Sequence, residues 1–173
     1  MNYSTFFQRK TTAGTSIIAI ILVLMLSACG FALRGPVAFS FHSIYVGMAD
    51  TSPLGGELKR NIRANGQTVI AKDSTAADVI LDVLAETREK RILSLNSQGR
   101  VREYDLIYTL RFRVRDQSGK EVLAPTDISL KRNISFNETQ VLAKEAEEVL
   151  LYRDMQSDLV QQIMRRLAAM KMD

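Results

Sequence analysis

The sequence predicts an α+β two-layer sandwich, with two helices packed on one face of a mixed, mostly antiparallel β-sheet. Three observations predict it. His42 to Ala71 reads strand–helix–strand, and Asp78 to Ile134 alternates polar and apolar residues over long runs. The C-terminal segment carries an apolar stripe at helical spacing. Two such helices, each with one stripe to bury, need a common sheet face to cover.

In the opening unit, Ile44, Val46 and Met48 alternate along a first strand. Ser52-Pro53 is a helix start, Leu54, Leu58 and Ile62 keep helical spacing, and Asn65-Gly66 stops the helix. Thr68 to Ala71 forms a short second strand, so the crossover makes neighbouring strands parallel. From Asp78 the pattern lengthens. Val79, Leu81, Val83 and Ala85 share a face in one strand. In the next, Val101 to Arg115, Tyr104, Leu106, Tyr108, Leu110, Phe112 and Val114 fall on the buried side. Glu103, Asp105, Thr109, Arg111, Arg113 and Arg115 fall on the wet side. Asn96 to Gly99 and Asp116 to Gly119 are turn sequences, hence two hairpins. A last strand, bent or bulged near Pro125, carries Ile128, Leu130 and Ile134. Asn137 with Gln140 resembles a capping box. Tyr152, Met155, Leu159, Ile163 and Leu167 then stripe a long helix.

Ahead of this domain stands a targeting segment. Arg9 and Lys10 precede an apolar run from Ile17 to Leu26, and Ser27 and Ala28 lead to Cys29, the only cysteine. Basic region, apolar core and small-residue cleavage site in that order are a secretory signal. The run is shorter than the ~20 residues a membrane span needs. Leu-Ser-Ala-Cys resembles the lipobox of bacterial lipoproteins, in which the cysteine thiol is alkylated by a diacylglyceryl group. The expected organisation is a signal peptide over 1–28, a lipidated tether over 29–41, and one domain over 42–173. Gly30, where an inner-membrane retention signal would place Asp, points to the outer membrane. Several acyl chains on Cys29 would hold the protein firmly, at about 0.8 kcal/mol per buried CH₂.

Cleavage leaves 145 residues, 173 less 28, enough for a real core. They carry 21 Lys and Arg against 19 Asp and Glu, which argues against bulk nucleic-acid binding. Acylation of Cys29 would exclude an intramolecular disulfide and cysteine catalysis alike. With one histidine, His42, paired metal ligands of the His-x₃-His or Cys-x₂-Cys kind do not occur. Gly55-Gly56 is no phosphate loop, and Glu145, Glu147 and Glu148 suit the early turns of a solvated helix. The expectation is a binding or structural protein rather than an enzyme, with no cofactor beyond the covalent lipid.

The hairpins bring the 96–99 turn and the loop into the last helix to one end. That end is expected to gather Lys90, Arg91, Arg100, Arg102, Lys131, Arg132 and Lys144, with Arg111, Arg113 and Arg115 towards the other. Such clusters suit phosphorylated ligands, to which arginine makes strong bidentate contacts, but composition alone favours an ordinary solvated surface with Glu86, Glu89 and Glu103 as partners.

Cys-Gly-Phe-Ala-Leu-Arg-Gly at 29–35 resembles the start of the LptE family of LPS-assembly lipoproteins. Leu54 with Leu58-Lys59-Arg60, Asn65-Gly66, Gly99 with Glu103-Tyr104, Val141 to Glu145, Asp154-Met155 and Arg165-Arg166-Leu167 match in order. The resemblance implies a plug inside the LPS-assembly β-barrel (LptD), as a heterodimer that helps the barrel fold and delivers lipopolysaccharide to the outer leaflet. It also implies direct binding of lipopolysaccharide phosphates by basic residues near the hairpin tip and the final loop. Lys144 takes the position of the family's basic residue. Ser97 stands where some members carry a cation, so Arg100 and Arg102 would replace it, with Arg91 and Arg132 alongside. A stand-alone lipid or glycan carrier is the alternative from another class, and it would need an apolar pocket between the layers. A hydrolase would need the missing nucleophile pairings.

Overall fold

The computed structural model describes residues 38–172. The expected signal peptide, Cys29 and the expected tether as far as residue 37 lie outside them. The described chain runs β1 (Ser43–Gly47), α1 (Pro53–Ala64), β2 (Val69–Ile70), a 3₁₀ turn at Ser74–Ala76, β3 (Val79–Leu95), β4 (Val101–Asp116) and β5 (Glu121–Ser135). A second 3₁₀ turn at Glu138–Gln140 leads into α2 (Val141–Ala169). The sheet order is β2-β1-β3-β4-β5. β1 pairs parallel with both β2 and β3, and β3, β4 and β5 are antiparallel. The α+β class and the mixed, mostly antiparallel sheet are therefore as the sequence predicts.

Helix α1 begins where Ser52 accepts a hydrogen bond from the Gly55 N–H at 3.1 Å, with Pro53 in the first turn. A Cβ on Gly55 would lie 2.8 Å from the Met48 Cβ, so its bare backbone lets α1 close onto the β1 loop. α1 buries Leu54, Leu58 and Ile62; α2 buries Met155, Leu159, Ile163 and Leu167. Both stripes meet Ile44, Val46, Val79, Leu81, Leu106, Tyr108, Leu110, Phe112 and Val114 on one sheet face. Packing begins ahead of β1: Phe41 is buried, and Phe39 stacks on it with ring centroids 5.1 Å apart. Ser40 donates to the Met170 carbonyl at 3.0 Å, fastening the chain's entry to the end of α2.

The two hairpin turns share one design. Asn96 Oδ1 accepts from the Arg100 N–H, and Asp116 Oδ1 accepts from the Lys120 N–H, each at 2.9 Å. Gly99 (φ 77°) and Gly119 (φ 88°) supply the left-handed residue that each turn requires.

Three local expectations differ. Ala85 does not share the face of Val83. A bulge inserts Leu84, so Val83 pairs with Phe112 while Ala85 pairs with Arg111. Beyond it Glu86, Arg88, Lys90 and Ile92 stand opposite Leu110, Tyr108, Leu106 and Tyr104, on the helix side. Asp105, on the wet side, is nonetheless buried at 7% exposure, its carboxylate paired with Lys131. Asn137 caps the 3₁₀ turn by accepting from the Thr139 N–H, so Gln140 forms no capping box with it and α2 starts at Val141. The bend near Pro125 is present as a register shift between Phe112 and Val114 opposite Thr126 and Leu123.

At the base, Asp78 accepts from the backbone N–H groups of His42 (2.8 Å) and Ser43 (2.9 Å). The His42 bond first, then those from Ser43, hold its carboxyl below the usual 3.8. Its ionised form is thus favoured by folding. Asp78→Ala is expected to lower the melting temperature at pH 7. Melts against pH should show the gap to wild type closing as pH falls below 3.8 and the carboxylate protonates. In the core, Phe112→Ala should cost about 3–5 kcal/mol in urea unfolding. Tyr108→Phe, which keeps the ring and loses only its hydroxyl bonds, should cost about 1 kcal/mol.

Candidate functional site

The 96–99 turn, the end of β5 and the start of α2 meet at one end of the domain. The Phe136 N–H donates to the Arg102 carbonyl at 2.7 Å, tying β5's exit to β4's entry. A shallow groove of about 280 Å³ lies there, lined by Asn96, Arg100, Arg102, Phe136, Asn137 and Glu138. Arg100 crosses it to Glu138 at 3.0 Å. Arg102 is exposed and has no carboxylate within 4 Å among the described residues. Lys144 sits close by, its Nζ donating to Ser135 Oγ at 2.9 Å and to Glu147 at 2.8 Å. Arg100, Arg102 and Lys144 thus share one end.

The remaining cations divide between the two faces. Arg91 pairs in register with Asp105 on the wet face, and its guanidinium contacts Glu89. Arg132 lies opposite Leu106 on the helix face, where it binds Asp158 of α2 at 2.8 Å. Lys90 also faces the helices, bound to Glu148 at 2.6 Å and 4.4 Å from the centre of the Tyr104 ring. Towards the other end, Arg113 and Arg115 share Asp82, at 3.2 and 2.8 Å, and Arg111 pairs with Asp127 at 3.8 Å. Most of these cations are already matched to an acid, so an anionic ligand at the hairpin end would meet Arg102 free and take Arg100 and Lys144 by exchange.

Sequence reasoning missed a polar network between the layers, because Leu84 turns it inward. Arg88 donates to the Tyr108 hydroxyl (2.9 Å) and to Gln156 Oε1 (3.2 Å), with its guanidinium 4.4 Å above the Tyr108 ring. Tyr108 donates in turn to Glu86 at 2.6 Å, and Gln156 donates to Glu57 of α1 at 2.7 Å. Burial, with the bond to Glu86 second, pushes the Tyr108 hydroxyl up to about 12. Tyr108 therefore stays protonated and donates throughout the physiological range. Tyr152 is likewise raised, by burial and then by Glu148. This network joins α1, α2, β3 and β4. It offers no nucleophile with an activating base, and no group of three or more His, Cys, Asp or Glu among the described residues is placed to hold a metal ion.

Long antiparallel hairpins under two helices, a charge-laddered open face and a cationic hairpin end define a charged module built on an α+β sandwich. The lipopolysaccharide-assembly (LptE) family model matches residues 41–167, nearly the whole of that module, and the chain belongs to this family. The LPS-assembly lipoprotein LptE of Pectobacterium atrosepticum is 28% identical over 151 residues, covering 85% of this chain and 80% of that protein. Its namesake in Photorhabdus laumondii is 24% identical, covering 85% and 81%. Among solved structures, lipoprotein B from Nitrosomonas europaea aligns with a TM-score of 0.70 at 38% identity, over 81% of this chain and 91% of that one. The rare lipoprotein B from Shewanella oneidensis aligns at 0.64 and 26% identity, over 74% and 95%.

The buried Asp105 makes its partner matter. Lys131→Ala, which strands a nearly buried carboxylate, is expected to destabilise by about 3 kcal/mol. Arg132→Ala, which removes an exposed pair, should cost under about 1 kcal/mol. Parallel urea titrations of the two variants would read the difference.

Proposed function

We propose that this protein is an outer-membrane lipoprotein, anchored through Cys29, that seats inside the LPS-assembly β-barrel as a plug. There it supports assembly of the barrel and contacts lipopolysaccharide phosphates on the way to the outer leaflet. The observation that carries the reading is the family match over nearly the whole sandwich. The relatives that match are themselves named LPS-assembly lipoproteins. The structure's chemistry is compatible with a plug. The face away from the helices carries a ladder of charged and hydroxyl residues, such as Thr109 and Ser129, whose hydroxyls lie 3.0 Å apart. Such a face suits a wet barrel lumen better than lipid. On this reading the acyl chains of Cys29 provide the attachment, and no described helix is long and apolar enough to cross a membrane.

The ligand end is read as Arg100, Arg102 and Lys144, with Arg91 and Arg132 as flanking charges. Phosphate oxygens would replace Glu138 on Arg100 and Glu147 on Lys144, keeping each cation in a charge-assisted bond. A carrier acting without a barrel would need an apolar cavity between the layers. That space is occupied by Leu106, Tyr108, Leu110 and Phe112 packed against Met155, Leu159 and Ile163.

Affinity purification of the tagged protein from detergent-solubilised outer membranes tests the plug. One large β-barrel at equal stoichiometry is the expected result, and a barrel-free monomer would overturn it. For the ligand end, Lys144→Glu with Arg100→Glu should weaken lipopolysaccharide binding at least about tenfold at physiological salt, with melting unchanged. Equal affinity would remove these residues from the site.

A further inference from the structure

A second cationic site lies far from the hairpin end. The loops at the carboxyl ends of the parallel strands β1 and β2 border a groove of about 530 Å³, walled on one side by α1. In α/β units this is where ligands commonly bind, and the volume suits a small molecule. Three cations line it, Lys59, Arg63 and Lys72, against one acid, Asp50.

Their environments differ from those of the cations at the hairpin end. At the hairpin end every cation except Arg102 is matched by a carboxylate. Here Arg63 and Lys72 have none within 4 Å among the described residues. Lys59 is drawn in, its side chain 17% exposed, and its ammonium reaches only Asp50 at 3.0 Å. That partner is 99% exposed and so is held by little else. Asp50 therefore occupies Lys59 as an incoming anion would, and it can swing into solvent when one arrives. Two lysine ammoniums and an arginine fork match the oxygens of a phosphate, while a concave site raises the local field. Tyr45 offers a ring and Ile70 an apolar wall beside these charges. A bare ion would leave that surface uncovered.

We propose that this groove binds a phosphate monoester carried on a sugar. Lys59, Arg63 and Lys72 hold the phosphate, and Tyr45 packs on the sugar's C–H face. The proposal does not rest on the plug reading, since it uses none of the hairpin-end residues. The phosphorylated sugar could come from a free metabolite or from the headgroup of a glycolipid.

The test is an NMR titration of the isotope-labelled full chain in detergent with glucose 1-phosphate, with glucose and inorganic phosphate as controls. Glucose 1-phosphate should shift resonances of residues 45–50, 59–63 and 70–72 and leave 96–102 unmoved. Glucose should have no effect, and inorganic phosphate should bind more weakly by about tenfold. Lys59→Gln with Arg63→Gln should weaken the ester by about tenfold or more, and Arg63→Gln alone, at an exposed side chain, by about threefold. Asp50→Asn should tighten it by about threefold, because a competing carboxylate is gone. A purely structural Lys59–Asp50 pair would not give that gain. Competition by deacylated lipopolysaccharide supports the site with a glycolipid headgroup as source, and its absence alongside ester binding supports a free sugar phosphate. No localised shift at 10 mM ester, equal affinity for inorganic phosphate, or unchanged affinity in the double variant would each overturn the proposal.

Discussion

A single extra residue, Leu84, sets the character of the whole domain. Below it the face of β3 presents Val79, Leu81 and Val83 to both helices, and the interlayer space is oily. Above it the strand has rotated by one position, and Glu86, Arg88 and Lys90 face inward instead. An apolar contact there would have allowed α2 to lie flat along the sheet by hydrophobic burial alone. Instead its upper half is held at discrete polar points: Gln156 to Arg88, Tyr152 to the Glu89 carbonyl at 2.8 Å, and Glu148 to Lys90. Directional bonds of this kind fix the helix in rotation as well as in position, which burial does not do.

The result is a domain with two different ends. At the base, the chain enters through Phe39 to Phe41, pinned to Met170 and Asp78, and the stripes of α1 and α2 close the core. At the far end, one strand length or about 50 Å away, α2 stands over charged strands without α1. The described chain thus enters at one end of the sandwich and gathers its hairpin-turn cations at the other.

Much of this was legible from residues alone, and the reason is periodicity. Strand β4 places an apolar residue at every second position from Tyr104 to Val114, and α2 keeps its stripe over four turns, so class, order and helix-side face follow. The bulge at Leu84 was not legible. Thr87, Glu89 and Arg91 are as polar as Glu86, Arg88 and Lys90, so either set could face inward, and only pairing with β4 decides. Asp105 was hidden for a related reason: a carboxylate in an alternating polar row looks wet, and nothing local reveals that Lys131 will cover it. At the hairpin end, co-location of Arg100, Arg102 and Lys144 followed from strand direction. The split of Arg91 from Arg132 across the sheet required the registers of β3 and β5. The β1–β2 groove went unremarked, because Lys59, Arg63 and Lys72 come together only when the crossover closes.

Strand β1 ends opposite Asp82, so from Val83 to Leu95 the outer margin of β3 has no neighbouring strand among the described residues. A long bare margin invites other chains, a second copy among them, to join it. The bulges at Leu84 and Leu93 break that margin into short lengths, and the charges between them repel a second copy laid alongside in register. The residue that turns the network inward thus also guards the sheet edge against self-association.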